Sequence, residues 1–543
     1  MRHTRLSLVP RSPILIALFS VTLCLLLSAA GAALLLPALA PLPAAAAETA
    51  TPPQGSILIT GALVLDGTGA PARAADVLVI GGSIARVGVL DPLSGETKVD
   101  ARGLVLAPGF IDTHSHADDE LFDHPDALAA VSQGITTVVV GQDGGSPFPL
   151  ADFFARFDRT PAAINVASYA GHGTLRDRVT GKDFRRPVTR AEARRMGDLL
   201  ATEMKAGAIG LATGLEYDPG IYSTADEVVA LAKIARAHGG RYISHLRSED
   251  RFFWQAVEEI IAIGRRARIP VQIGHTKLAM KTLWGQADRL IQRLEAARAE
   301  GVEITGDMYP YLYWQSTLTV LFPKRDFADR AEAELVLAEI TPPDGLLLTR
   351  FDPDPSYVGR TVADIARLRD ADPATTLMAL IHESESLGKK TGGETESVIG
   401  TSMSEPDVER LMTWPHMNFC TDGGLDGSHP RGFGSYPRIL GRYVRERGVL
   451  PLDQAIHKMT GLAADHMGFA DRGRIAPGQQ ADLVLFDPAT VIDRATPQDP
   501  KAVSAGIQRV WVNGVVVFEN GHTTGAHPGR ALRRAGAAGA SPA

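Results

Sequence analysis

Eight short apolar runs, each closing on polar or glycine-rich residues, constrain the fold of this chain more than any other feature. They are Val105 to Ile111, Thr136 to Val140, Ala163 to Tyr169, Ala208 to Thr213, Arg241 to Ser244, Val271 to Gly274, Glu303 to Met308 and Asn418 to Thr421. A run without a polar face is what a strand buried on both sides requires. Between most of them lie stretches rich in Ala, Leu, Arg and Glu at helical spacing: Arg190 to Ala206, Thr224 to His238, Phe252 to Arg266 and Trp284 to Glu300. Buried strands alternating with helices predict an α/β fold, a (β/α)8 TIM-like barrel, whose chemistry sits at the C-terminal ends of its strands. The interval between the seventh and eighth runs is far longer than the others, and an insertion at about 315–375 accounts for it. A strand-like run from Thr376 to Ile381 follows.

The flanks of the barrel read differently. Ser56 to Thr60, Ala62 to Leu65, Asp76 to Ile80 and Ser83 to Val89 are alternating or β-branched runs broken by Gly and Asp, and similar text returns at Ala481 to Phe486 and Val510 to Phe518. Residues 48–107 and 474–525 are therefore expected to build one small β-domain, leaving 108–473 for the barrel. Residues 526–543, rich in Ala, Gly and Arg, lack apolar periodicity and are expected to be disordered. At the other end, Arg2, Arg5 and Arg11 precede an uncharged apolar run from Pro13 to Ala47, the pattern of an export signal over residues 1–47. Ile14 to Leu36 reaches the ~20 residues that span a bilayer, so an uncleaved anchor is the alternative to cleavage near Ala47. Either outcome places the folded body outside the cytoplasm, periplasmic or secreted. Loss of Cys24 with that segment leaves Cys420 alone, which excludes an intrachain disulfide. A net charge of -7 without any long Lys/Arg run excludes nucleic acid as a natural partner. The membrane is then met only through the N-terminal segment.

His114 and His116 end the first run at spacing i, i+2, which points both side chains to one side of a strand. Alone the pair is a weak signal. His245, His275 and Asp422 close the fifth, sixth and eighth runs, and imidazole nitrogens with a carboxylate oxygen suit zinc. An ion with an open position lowers the pKa of its water to roughly 7 and polarises a carbonyl. One or two zinc ions are expected. A carboxylate bridging two ions would be Asp143, after the second run, or Glu216, just past the fourth, and spacing does not choose between them. His172, after the third run, is a candidate for orienting a substrate. Trp314 is the tryptophan expected at the acyl pocket.

The segment Gly-Phe-Ile-Asp-Thr-His-Ser-His ending at His116 resembles the first-strand signature of the amidohydrolase superfamily. More narrowly, Gly171 to Arg176, Ser244 to Glu249, Gly274 to Lys277, Asp307 to Tyr311 and His429 to Gly432 resemble, in order, segments of the N-acyl-D-amino-acid deacylases. The resemblance covers about Gly55 to Glu519. It implies a metal site of His114, His116, His245, His275 and Asp422, with Asp422 also moving the proton, and a grip on the substrate's α-carboxylate by Lys277, Tyr311 and Arg431. A cation, a guanidinium fork and a phenol suit a carboxylate. The implied activity is zinc-dependent removal of the acyl group from small N-acyl-D-amino acids. Hydrolysis of another amide, a cyclic amide, a lactone or a dipeptide is the alternative at the same site. A catalytically silent binding relative predicts missing ligands, and none of the core ligands is missing. One departure stands out: the family commonly places a cysteine ligand in Gly-Asn-Cys-Gly after the second strand, where this chain has Gly141-Gln142-Asp143-Gly144.

Overall fold

The computed structural model describes residues 55–92 and 95–537. The expected signal segment, residues 1–47, lies outside the described residues, as do residues 538–543 of the tail. Among the described residues, no helix is long and apolar enough to cross a membrane.

The strands predicted at both ends form one nine-stranded sheet. Ile57–Val64 pairs antiparallel with Arg73–Ile80, which continues to Ser83–Gly88. The two halves of the chain meet where Leu483–Phe486 lies antiparallel to Val105–Pro108, with Val484 opposite Ala107. Ile507–Val512 and Val515–Glu519 extend the sheet outward. Val64, Val77, Leu106, Leu483 and Trp511 supply its buried face, so neither terminal segment has a core without the other. Gly109 carries the chain from this sheet into the barrel. A Cβ there would stand 2.3 Å from the Thr136 side chain, and only glycine permits the approach.

Eight parallel strands follow: Phe110–Asp112, Ile135–Val140, Asn165–Ser168 continuing to Ala170–Gly171, Gly210–Gly214, Arg241–His245, Val271–Ile273, Ile304–Met308 and Met417–Phe419. Nearly every residue in them is buried, as the unbroken apolar runs required. Closure is made by the Asp422 N–H, which donates to the His114 carbonyl at 2.9 Å, and by a parallel bridge between Ser115 and Gly423. The Tyr436 hydroxyl lies 2.8 and 2.9 Å from the carbonyl oxygens of Ile111 and Phe419, tying the first strand to the last. The helix over Arg190–Ala206 has the predicted limits because Thr189 and Glu192 form a reciprocal cap and Gly207 ends it. Thr224 caps Ala225–Ala237 in a similar manner, accepting from the Glu227 N–H.

Three expectations are corrected. The insertion is larger than 315–375: its three-stranded antiparallel sheet joins Tyr313–Ser316, Leu346–Phe351 and Glu396–Thr401. Thr376 to Ile381 is not a strand but part of the helix Pro373–Thr391. Asp372 caps that helix by accepting from the Ala374 and Thr375 N–H groups, and Leu377, Leu380 and Ile381 bury one face. An Asp-Pro start followed by apolar residues three and four apart outweighs the β-branched threonines. Residues 526–537 of the tail are ordered. Gly529 N–H donates to the Ala162 carbonyl, Val166 N–H to Arg530, and Leu532 N–H to Val166, so the segment pairs with the third barrel strand. Backbone donors and acceptors hold it, and these leave no trace in side-chain periodicity.

Candidate metal centre

The strand ends gather at the C-terminal mouth of the barrel. His114 is fully buried, with Nε2 3.3 Å from Asp143 Oδ1 and 3.6 Å from Asp422 Oδ1. His116 Nε2 lies 3.1 Å from Asp422 Oδ1 and 3.5 Å from Asp143 Oδ2. Across the barrel, His275 Nε2 is 3.4 Å from Asp143 Oδ1 and 2.9 Å from His245 Nδ1. Donor atoms of His114, Asp143, His275 and Asp422 all fall within 4.8 Å of one another, and those of His245, Glu249 and His275 do likewise. Glu216 stands outside both groups and meets His245 Nε2 at 2.9 Å. Between the two carboxylates left open by the sequence, Asp143 is the one brought among the histidines.

Backbone conformation at these positions is unusual. Asp143, His275 and Asp422 have φ of 51°, 32° and 50°, the left-handed region that costs an L-residue roughly 1 kcal/mol or more. Each follows a strand directly or by a few residues, and the turn swings the side chain back over the barrel mouth. Gly274 makes room beside them: a Cβ there would come within 3.0 Å of the His114 ring.

The charges explain what the group can hold. Asp143, Glu216, Glu249, Asp307 and Asp422 face two permanent cations, Lys277 and Arg431. Burial works against the charge of Asp143, yet His114 and His275 hold its carboxyl well below the usual range. Burial likewise opposes Asp422, and Arg431, with Nη1 2.5 Å from Asp422 Oδ2, outweighs it and keeps the group ionised. For Glu216 burial is reinforced by Asp250 and Glu249, and its pKa rises well above the ordinary value. Neither ring nitrogen of His114 has a hydrogen-bond partner, nor does Asp143 Oδ1, although all three atoms are buried. Unpartnered buried donors beside an excess of carboxylates are a poor arrangement for a protein alone and a good one for a divalent cation. Nitrogen and carboxylate donors fit zinc.

Supporting contacts orient the ring. Asp307, buried in the seventh strand, accepts from the His275 N–H at 2.5 Å and lies 3.7 Å from His114 Nδ1. Asp112 accepts from the Thr421 N–H at 2.9 Å, which binds the first strand to the loop carrying Asp422. Glu249 receives Lys277 Nζ on both oxygens at 2.7 Å and sits 3.0 Å from His275 Nδ1. Lys277 keeps its charge although buried, because Glu249 overcomes the cost of burial.

The centre opens into a pocket lined among others by Glu216, His245, His275, Asp422, Lys277 and Arg431. Two expected substrate residues are elsewhere. Tyr311 is buried with its hydroxyl 3.3 Å from Asp493 Oδ2 and 3.4 Å from the Pro430 carbonyl oxygen, away from the pocket lining. His172 joins a buried network, with Nε2 2.9 Å from Glu227 Oε1, whose carboxylate also takes Arg176 Nη1 at 2.6 and 2.7 Å. Buried Arg176 demands that carboxylate, and His172 shares it. Arg247, two residues after His245, pairs with Glu259 at 2.8 Å. The tyrosine that belongs with the cations is Tyr309: Arg431 lies over its ring at 4.8 Å, Lys277 Nζ at 5.7 Å, and its buried hydroxyl has no partner. Both tyrosines lie beyond the strand's last residue, Met308, so strand spacing does not choose between them.

Histidines and carboxylates from separate strand ends, converging at the C-terminal mouth of a (β/α)8 barrel, define a metal-dependent hydrolase site. The model of a family described as "Amidohydrolase family" matches residues 97–340 and 353–518. A D-aminoacylase of Alcaligenes xylosoxydans xylosoxydans is 36% identical over 506 residues, which cover 89% of this chain and 98% of that protein. An N-acyl-D-glutamate deacylase of the same organism is also 36% identical, over 88% of this chain and 96% of its own. Among solved structures, a D-aminoacylase studied for its binuclear metal centre superposes with a TM-score of 0.79 at 36% identity, over 88% of this chain and 99% of that one. An N-acyl-D-glutamate deacylase from Bordetella bronchiseptica, complexed with zinc and a phosphonate mimic of the tetrahedral intermediate, gives 0.78 at the same identity and coverage. The chain belongs to the amidohydrolase family, on its D-aminoacylase branch.

Proposed function

We propose that this protein hydrolyses the amide bond of N-acyl-D-amino acids, with zinc held by His114, His116, Asp143, His245, His275 and Asp422. The observation that carries the reading is the position of Asp422. One of its oxygens meets His116 Nε2 at 3.1 Å, and the other meets Arg431 at 2.5 Å, so one carboxylate adjoins both the metal ligands and a substrate cation. The named activities of the relatives support the same chemistry. The ion, when bound, supplies Lewis acidity toward the amide carbonyl and acidifies water.

The protein's own groups perform the remaining tasks. Asp422 accepts the proton of the attacking water and delivers it to the nitrogen as the C–N bond breaks, giving a carboxylate and a free amine. Arg431 Nη1 holds Asp422 in place, and its Nε, buried without a partner, offers a donor for the substrate's α-carboxylate. Lys277 supplies the second charge of that grip, and Tyr309 packs against both cations. Glu216, with Oε2 2.9 Å from His245 Nε2, orients the ring.

Purified, zinc-loaded protein is expected to release amino acid from N-acetyl-D-leucine or N-acetyl-D-methionine and not from the L series. Inactivity on both series with stoichiometric zinc refutes the proposal. Arg431→Ala is expected to lower kcat on every substrate, because Asp422 loses its partner, and in addition to raise KM for the N-acetyl-D-amino acid by roughly a hundredfold, the scale of a lost charge-assisted pair, while KM for a substrate with its carboxyl blocked as an amide hardly changes. Equal changes in KM on both substrates would remove Arg431 from the carboxylate grip. The arginine-flanked apolar N-terminus supports export to the periplasm or medium, which cell fractionation of the full chain tests.

A further inference from the structure

Equal similarity to a D-aminoacylase and to an N-acyl-D-glutamate deacylase leaves the substrate's side chain undecided. The pocket itself discriminates. One wall consists of Ala279, Trp314, Val320, Leu321 and Ile340, contributed by the loop after the sixth strand and by the insertion. This wall adjoins the carboxylate grip. Ala279 follows Lys277 by two residues, and Gln315, next to Trp314, donates to Ser428 Oγ at 2.8 Å, three residues before Arg431. A substrate whose α-carboxylate lies between Lys277 and Arg431 directs the side chain on the same α-carbon at these apolar groups.

We propose that this subsite selects neutral, apolar D-side chains and rejects acidic ones, an inference that rests on the deacylase reading above. Among the described residues lining the pocket, Lys277 and Arg431 are the only lysine and arginine, and the α-carboxylate occupies both. The neighbouring arginines each lie beside a carboxylate, Arg185 of the adjoining cavity at 3.8 Å from Asp218 Oδ2. Arg325 donates Nε to Asp218 at 3.1 Å and its terminal nitrogens to the carbonyls of Thr319, Phe322 and Glu216. Arg251 pairs with Asp250 at 3.1 Å and Glu332 at 2.8 Å. Besides Asp422, the carboxyl groups of Glu249, Asp250 and Glu216 line the same pocket. A second carboxylate on the substrate would lose its water, meet no free cation and face these acids, whereas a leucine or methionine side chain loses nothing by leaving water. Trp314 thereby serves the side chain and not the acyl group.

The test compares kcat/KM of the zinc-loaded wild-type protein on the N-acetyl derivatives of D-leucine, D-methionine, D-glutamate and D-aspartate. The neutral pair is expected to exceed the acidic pair by about a hundredfold or more. Acidic substrates turned over as well as the neutral ones overturn the inference and leave the deacylase reading standing. Inactivity on all four removes that reading and the inference with it. A second arm uses Val320→Lys, a half-buried wall position where a long cation reaches the pocket. It is expected to shift the acidic-to-neutral ratio upward by tenfold or more, and an unchanged ratio places the side chain elsewhere.

Discussion

An Asp422→Asn protein is expected to keep its fold and lose a factor of about a thousand or more in kcat, within the range by which general acid–base groups accelerate reactions. Asparagine has nearly the same shape but no negative charge, so it neither takes a proton from water nor returns one to the leaving amine. Arg431 loses its partner at 2.5 Å in the same substitution. That arginine then stands buried beside His429, whose own pKa is held well below normal by burial and by the Arg431 charge. Activity, zinc content and circular dichroism measured on one preparation separate the effects. Activity within tenfold of wild type, with zinc bound, would take the proton-transfer role away from Asp422. Loss of zinc in parallel with activity would make its main role that of a ligand.

The second large effect is expected at Asp143. Its two oxygens face four histidines: Oδ1 lies near His114 and His275, and Oδ2 is 3.5 Å from His116 Nε2 and 3.9 Å from His245 Nδ1. A carboxylate so placed would help hold zinc among these histidines. Asp143→Ala leaves the histidines without the charge that unites them, and bound zinc is expected to fall to a small fraction, with activity down by more than about a hundredfold. Asp143→Cys restores a donor of the kind usual in the related deacylases and is expected to recover zinc. It differs from wild type in selectivity, because a thiolate is softer than a carboxylate. After loading from equal zinc and manganese, the wild type is expected to retain several times more manganese than Asp143→Cys, as read by elemental analysis and by the manganese paramagnetic signal. Unchanged zinc in Asp143→Ala would transfer that role to Glu216.

The histidine ring was legible because barrel strands are buried on both faces, so a polar residue closing an apolar run at the mouth has little structural reason to be there. Asp422 and His275 stood out on that ground. Tyr309 and Tyr311 were not separable by composition, since both follow the same strand after its pairing ends at Met308, and the choice depended on the path of the loop beyond it. His172 was drawn toward the pocket by its place after the third strand, but Arg176, one helical turn further on, fixed Glu227 beside it. The helix Pro373–Thr391 was hidden by threonines whose β-branching suits strands, while its cap lay in Asp372.

By itself the sequence determined the eight barrel strands, the helices between several of them, the two-part β-domain and a set of polar residues at the strand ends, because each of these is written in local burial patterns or in residues too polar for where they stand. Only the tertiary structure decided that Asp143 and not Glu216 joins the histidines, that Tyr309 faces the cations, that Glu249 supports His275 and that residues 526–537 pack on the third strand. Those outcomes depend on the register at which eight separate segments close around one axis. Distances across the barrel mouth are set by that closure, and no local period in the chain records them.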